Sequence, residues 1–141
     1  MFQRILLATD GSAHADRAAE AAIRLVKEVS HASVTLLHVR TSAPKRSELL
    51  KAGFDVKTIL LEEAHKVITR TKQRFREEGI VYKLEVALGD PAAEIVKYAK
   101  EGQYELIIVG SRGLNRLKEV LLGSVSHQVA HEAACPVMIV K

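Results

Sequence analysis

Five short apolar runs alternate with four stretches of helical periodicity, and this alternation narrows the possible folds more than any other feature of the chain. The runs are residues 3–9 (QRILLAT), 33–39 (SVTLLHV), 80–87 (IVYKLEVA), 106–109 (LIIV) and 137–140 (VMIV). Between the first two, Ala15, Ala18, Ala19, Ala22, Ile23, Val26 and Val29 follow helical spacing, giving an alanine-rich face that can lie close on a sheet. A long helix is expected over residues 55–78, with Leu60, Ala64, Val67, Ile68, Thr71 and Phe75 on one face and Gly79 as a left-handed cap. Asp90-Pro91 opens a third helix, which Gly102 stops. A fourth begins near Ser124, carries Val125, Val129 and Ala133 inward, and ends before Pro136. Strands joined through helices lie parallel, with right-handed crossovers and helices on both faces. The expectation is therefore one doubly wound α/β domain spanning residues 1–141.

Composition excludes several classes. The 141 residues carry 21 Lys+Arg against 17 Asp+Glu, with the two signs interleaved. There is no Trp, and there are three Phe and three Tyr. A nucleic-acid binder would show a basic stripe with stacking aromatics, so no nucleic-acid partner is expected. No apolar run approaches the ~20 residues of a membrane span, and residues 1–9 read as a strand rather than a signal peptide. The single cysteine, Cys135, permits no internal disulfide. These features point to a cytoplasmic protein without a membrane partner.

Ligands of such sheets sit beyond the carboxyl ends of the strands, where strand order reverses. Three turns leave those ends: Thr9-Asp10-Gly11-Ser12, Val39-Arg40 and Gly110-Ser111-Arg112-Gly113. Glycines after a strand let backbone approach a ligand closely. A Gly-Ser pair at a helix start, Gly123-Ser124, offers N–H groups, a hydroxyl and the positive helix end, which suit a phosphate. Asp10 can accept from a ribose hydroxyl or hold a metal on the phosphates; it can equally cap the first helix. Residues 40–54, interrupted by Pro44 and Gly53, form the longest irregular stretch, with a helical turn at 47–51, and such loops often serve as lids or binding loops.

Neither a Walker-type loop nor G-x-G-x-x-G occurs. What occurs is G-x2-G-x9-G-S, formed by Gly110, Gly113, Gly123 and Ser124. Together with the ILLATDGS start, LLHV, GDPAAEI and LKEVLLGSVSHQVAHEAACPVMIVK, the pattern resembles the ATP-binding branch of the universal stress protein family over the whole chain. That resemblance implies a Rossmann-like sheet ordered 3-2-1-4-5 and ATP, with Mg or Mn, as ligand. It places Ala8, Thr9, Asp10 and Val39 on the adenine and ribose side, with Val109 and Gly110 alongside. It wraps Gly113, Gly123, Ser124, Val125 and Ser126 around the phosphates, with Arg112 adding charge from within the loop. Ala8 stands where some family members carry proline. The implied role is a stress-response, regulatory nucleotide-binding module with at most slow hydrolysis; the alternatives are an ATPase or adenylyl-transferring enzyme and a structural dimer with an empty pocket. The apolar last strand would lie at the sheet edge and pair with its copy in a homodimer, Val140 supplying an edge donor.

His127-Gln128-Val129-Ala130-His131 imitates a zinc-protease helix, but Gln128 cannot act as general base. His38 reads as a satisfied core histidine, Cys135 as an inert buried thiol, and Ser12 as a helix cap.

Overall fold

The computed structural model describes residues 2–111 and 123–141. Five parallel strands form one sheet in the order β3-β2-β1-β4-β5. They are β1 (Arg4–Ala8), β2 (Ser33–Arg40), β3 (Tyr82–Leu88), β4 (Leu106–Gly110) and β5 (Val137–Val140). Leu7 of β1 pairs with Leu36 on one side and Ile108 on the other, so β1 is the central strand and the order reverses between β1 and β4.

The pleat sorts the core into two layers. Ile5 and Leu7 face α1 (Ala13–Glu28), α3 (Val56–Val67) and α4 (Thr69–Glu77), while Leu6 and Ala8 face α5 (Pro91–Glu101) and α6 (Ser124–Glu132). Ala15, Ala18, Ala19 and Ala22 of α1 are all buried, as the alanine spacing requires for close packing on the sheet. Phe75 is fully buried and meets the Tyr82 ring edge-on at 5.3 Å.

The helix expected over residues 55–78 is two helices. α3 ends at Val67, Ile68 departs from helical backbone angles at φ −94°, ψ 15° while its N–H still donates to Ala64 and its carbonyl accepts from Lys72, and α4 begins at Thr69. The Thr69 hydroxyl donates to the carbonyls of His65 and Lys66, a back-bond that bends helices. The joint also packs on the turn after β1: a Cβ on Gly11, whose φ is +79°, would lie 3.1 Å from the Val67 side chain. Arg74 then ties α4 to α1 through Glu20, at 2.5 and 3.0 Å, and those bonds hold the Glu20 carboxyl below its ordinary range.

Between β2 and α3, the expected helical turn is α2 (Arg46–Lys51). Gly79 caps α4 with φ +69°, whereas Gly102 ends α5 in right-handed geometry and the left-handed residue is Gln103. At the edge, Val140 corrects the sequence expectation. Its carbonyl accepts from Ser111, and that of Pro136 accepts from Ile107, so Pro136, Met138 and Val140 turn their peptide groups toward β4. Peptide groups alternate sides along a strand, which leaves Val137 and Ile139 facing the open edge.

Candidate functional site

A cleft of about 370 Å³ lies at the carboxyl rim, where β1 and β4 diverge to opposite neighbours. Ala8, Thr9 and Asp10 enter it from the end of β1, Val39 from β2, and Val109 and Gly110 from β4. Gly123, Ser124, Val125 and Ser126 enter from the start of α6. Ten of the twelve residues singled out in the sequence thus line a single cleft; Arg112 and Gly113 lie outside the described residues.

Local sequence explains each placement. Asp10 is not the cap of α1. Its Oδ1 accepts from the Ser12 N–H at 2.9 Å, closing a turn two residues long, and Ser12 itself caps by accepting from Ala15. One face of the Asp10 carboxylate is therefore used within the turn. Gly110 has no left-handed backbone angle. It is a glycine by packing, since a Cβ there would sit 2.8–2.9 Å from backbone and side-chain atoms of His14. Ser111 follows, nearly fully buried, with its Oγ 2.8 Å from His14 Nδ1.

The start of α6 is built differently from those of α1 and α5. Gly123 is its N-cap and supplies no side chain, so among the described residues no capping side chain accepts from the first turn. Ser126 does not fill that role: its hydroxyl is buried and faces the carbonyls of Ser111, at 2.8 Å, and Gly123, at 3.0 Å. The Gly123 N–H donates to Ser111 as well, which fastens α6 to the end of β4. First-turn N–H groups have no acceptor within their own helix, and the residues of this first turn, Ser124, Val125 and Ser126, line the cleft.

Several lining residues escaped the sequence reading. Pro91 and Ile95 come from α5, Thr41 and Ser42 from the β2–α2 loop, and Glu63 from α3. Glu63 carried a signal: it lies three residues after Leu60 and one before Ala64, on the apolar stripe of its helix, where a carboxylate is out of place. His38 is only half satisfied. Its Nδ1 meets the Thr9 carbonyl at 3.1 Å, while Nε2 has no hydrogen-bond partner among the described residues. Arg40, nearly buried, binds both oxygens of Glu48 at 2.8 and 2.9 Å and the Ser42 carbonyl at 2.9 Å. Those hydrogen bonds pull the Glu48 carboxyl down to about 2 and raise the Arg40 guanidinium. Among the described residues no group of three or more His, Cys, Asp or Glu side chains could hold a metal ion. His127 and His131 are exposed on α6.

The family model described as "Universal stress protein family" matches residues 1–141. The chain belongs to the universal stress protein family. Universal stress protein YxiE of Bacillus subtilis is 38% identical over the full length of both chains. The structure of MJ0577, a universal stress protein of Methanocaldococcus jannaschii, superposes with a TM-score of 0.80 at 34% identity, covering 100% of this chain and 96% of that one. A universal stress protein solved in complex with cAMP shares the fold, at 24% identity and a TM-score of 0.74, covering 99% of this chain and 97% of the other. The cysteine of this chain, Cys135, is half-buried and packs on the α5–α6 face, and burial raises its thiol above the ordinary value.

Proposed function

We propose that this universal stress protein binds an adenine nucleotide, ATP in the first instance, in the cleft at the carboxyl rim and acts as a cytoplasmic regulatory module. The observation that carries the reading is the convergence of Asp10, the end of β4 and the uncapped first turn of α6 on one cleft. Free N–H groups at a helix start, backed by the helix dipole, bind phosphate without any charged side chain. Apolar walls from Ala8, Val39 and Val109 suit the face of a base, and the second oxygen of Asp10 is available to a ribose hydroxyl. Mg or Mn enters this picture on the phosphates, since no cage of three protein ligands is formed among the described residues. Arg112 and Gly113 are assigned to the phosphate side on the resemblance alone. Binding with slow turnover fits a site whose Asp10 is already engaged by Ser12. The same reading includes a homodimer formed through the open edge of β5.

Calorimetric titration of the full chain with ATP, wild type against Asp10→Asn, tests it. Asparagine preserves the Oδ1 acceptor for Ser12, so the fold is kept while the ligand loses a charged acceptor. Affinity should fall roughly 10-fold or more, the equivalent of about 1.5 kcal/mol or above. Equal affinities would remove Asp10 from the site, and no binding of ATP to the wild type at millimolar concentration would overturn the reading itself.

A further inference from the structure

Ser111 directly follows β4 and is 2% exposed. Each of its polar groups is engaged by a different part of the fold. Its N–H donates to the Val140 carbonyl at 2.7 Å, at the end of β5. Its carbonyl accepts twice from the start of α6, from the Gly123 N–H at 2.5 Å and from the Ser126 hydroxyl at 2.8 Å. Its own hydroxyl lies 2.8 Å from His14 Nδ1 on α1, 97 residues away in sequence. Gly123 and Ser126 bracket Ser124 and Val125, and these four residues line the cleft. The first turn of α6 is thus bonded to the peptide of one serine, and the side chain of that serine is held by His14.

His14 is a firm anchor. It is the second residue of α1, inside the turn that Ser12 caps through the Ala15 N–H at 3.1 Å. Its backbone packs so closely on Gly110 that a Cβ on that glycine would lie 2.8–2.9 Å away. A serine hydroxyl both donates and accepts, so the bond to Nδ1 forms with either tautomer of the ring. Neither His14 nor Ser111 lines the cleft. Beyond its first turn α6 is held separately, with Val129 fully buried and Ala133 beside it in the layer shared with α5. Loss of the His14 bond therefore acts on the first turn and leaves the rest of the helix in place.

Resting on the nucleotide reading above, we propose that His14 is a positioning residue for the phosphate end of the cleft. It acts through Ser111 and not by contact with the ligand: holding that side chain fixes the peptide to which the start of α6 is bonded. N–H groups bind a phosphate within narrow limits of distance and angle, and a binding constellation tolerates displacements of only about 0.5 Å. With the bond cut, the Ser111 peptide can turn and the first-turn N–H groups lose their aim. The apolar walls from Ala8, Val39 and Val109 stay as they are. The competing role is purely structural, a bond that fastens α1 to β4 and lowers stability when lost without favouring one ligand over another.

The full chain is titrated with ATP and with adenosine, followed by NMR so that millimolar affinities are read, as wild type, His14→Leu and His14→Asn. Leucine fills much of the ring's space and makes no hydrogen bond, whereas the asparagine amide puts a polar atom where Nδ1 stands. In His14→Leu, affinity for ATP should fall roughly 10-fold and that for adenosine less than about twofold. His14→Asn should return ATP affinity to within about threefold of wild type. Ser111→Ala removes the same bond from the other side and keeps the backbone bonds to Val140 and Gly123, so it should repeat the ATP-selective loss even if His14→Leu does not fold. An ATP-to-adenosine ratio equal to wild type in the folded variants, with or without a lower Tm, overturns the positioning role and leaves nucleotide binding standing. A loss of ATP affinity that asparagine fails to restore assigns the effect to packing of the ring and also overturns it. A wild type that binds ATP no better than adenosine removes the phosphate site, and the positioning role falls with the reading it rests on.

Discussion

At Gly110 packing gives a reason for glycine that the sequence does not reveal. A glycine after a buried strand suggests backbone approaching a ligand, yet here its missing Cβ admits the start of α1, with His14 backbone atoms 2.8–2.9 Å from where that carbon would be. A methyl group there pushes on backbone rather than on a flexible side chain. Gly110→Ala should therefore destabilise the protein by about 1–3 kcal/mol through overpacking. Thermal unfolding should show Tm lowered by roughly 3–10 °C; a Tm within about a degree of wild type would mean that α1 shifts freely along β4. Asp10 carries a related lesson. The sequence left capping and ligand binding both open for it, and geometry gives the cap to Ser12 while the carboxylate closes the preceding turn. Cap position depends on backbone angles that the run Thr9-Asp10-Gly11-Ser12 does not reveal, because Asp and Ser both cap well.

Strands and helices were legible to the extent that burial alone defines them. The four-residue run of β4 and the alanine stripe of α1 lie where periodicity puts them, since sheet faces dictate both patterns. The division of α3 from α4 was hidden, because the apolar face of residues 60–75 continues through the joint, which is marked by the non-helical angles of Ile68 and the Thr69 back-bonds. The β2–α2 connection was hidden for another reason. Arg40 and Glu48 are eight residues apart, a spacing that no periodic pattern couples, yet they form the bidentate pair that ties α2 to the end of β2. α2 has no buried residue, so this pair and the Lys45 N–H bond to Glu48 are its main described anchors. The Glu48 carboxyl is drawn from 4.5 down to about 2 in the folded protein. A lowered carboxylate value stabilises the docked state above the unfolded value and loses that contribution as pH falls through the folded one. Amide exchange across residues 46–51 should accordingly speed up as pH drops from about 4.5 toward 2, relative to intrinsic rates, while β1 and β4 stay protected. Glu48→Gln should show the faster α2 exchange already at neutral pH. Exchange at α2 that follows the core strands at every pH would mean that other contacts hold it.

At the scale of the whole molecule, the sheet has one edge whose hydrogen-bonding side can be read residue by residue. β5 is four residues long and apolar, and Met138 is among the exposed large hydrophobics. Exposed edges of this kind invite pairing with another chain, and a two-fold axis lets the strand meet its own copy antiparallel. Val137 and Ile139 turn their peptide groups outward, whereas the outward carbonyl of Lys141 is already taken by Arg17 Nε at 2.8 Å. Ile139 therefore supplies the central outward donor for the proposed dimer, and Val140 does not. Light scattering on the wild type should give twice the 15.5 kDa chain mass. Ile139→Pro removes that donor while leaving the bonds to β4 in place, as edge strands allow, and should return the mass to one chain with little loss of thermal stability. Val140→Pro strikes the side that pairs with β4 and should lower Tm instead. A wild-type mass of one chain at tens of micromolar, or an Ile139→Pro variant that stays dimeric, would place the partner surface elsewhere.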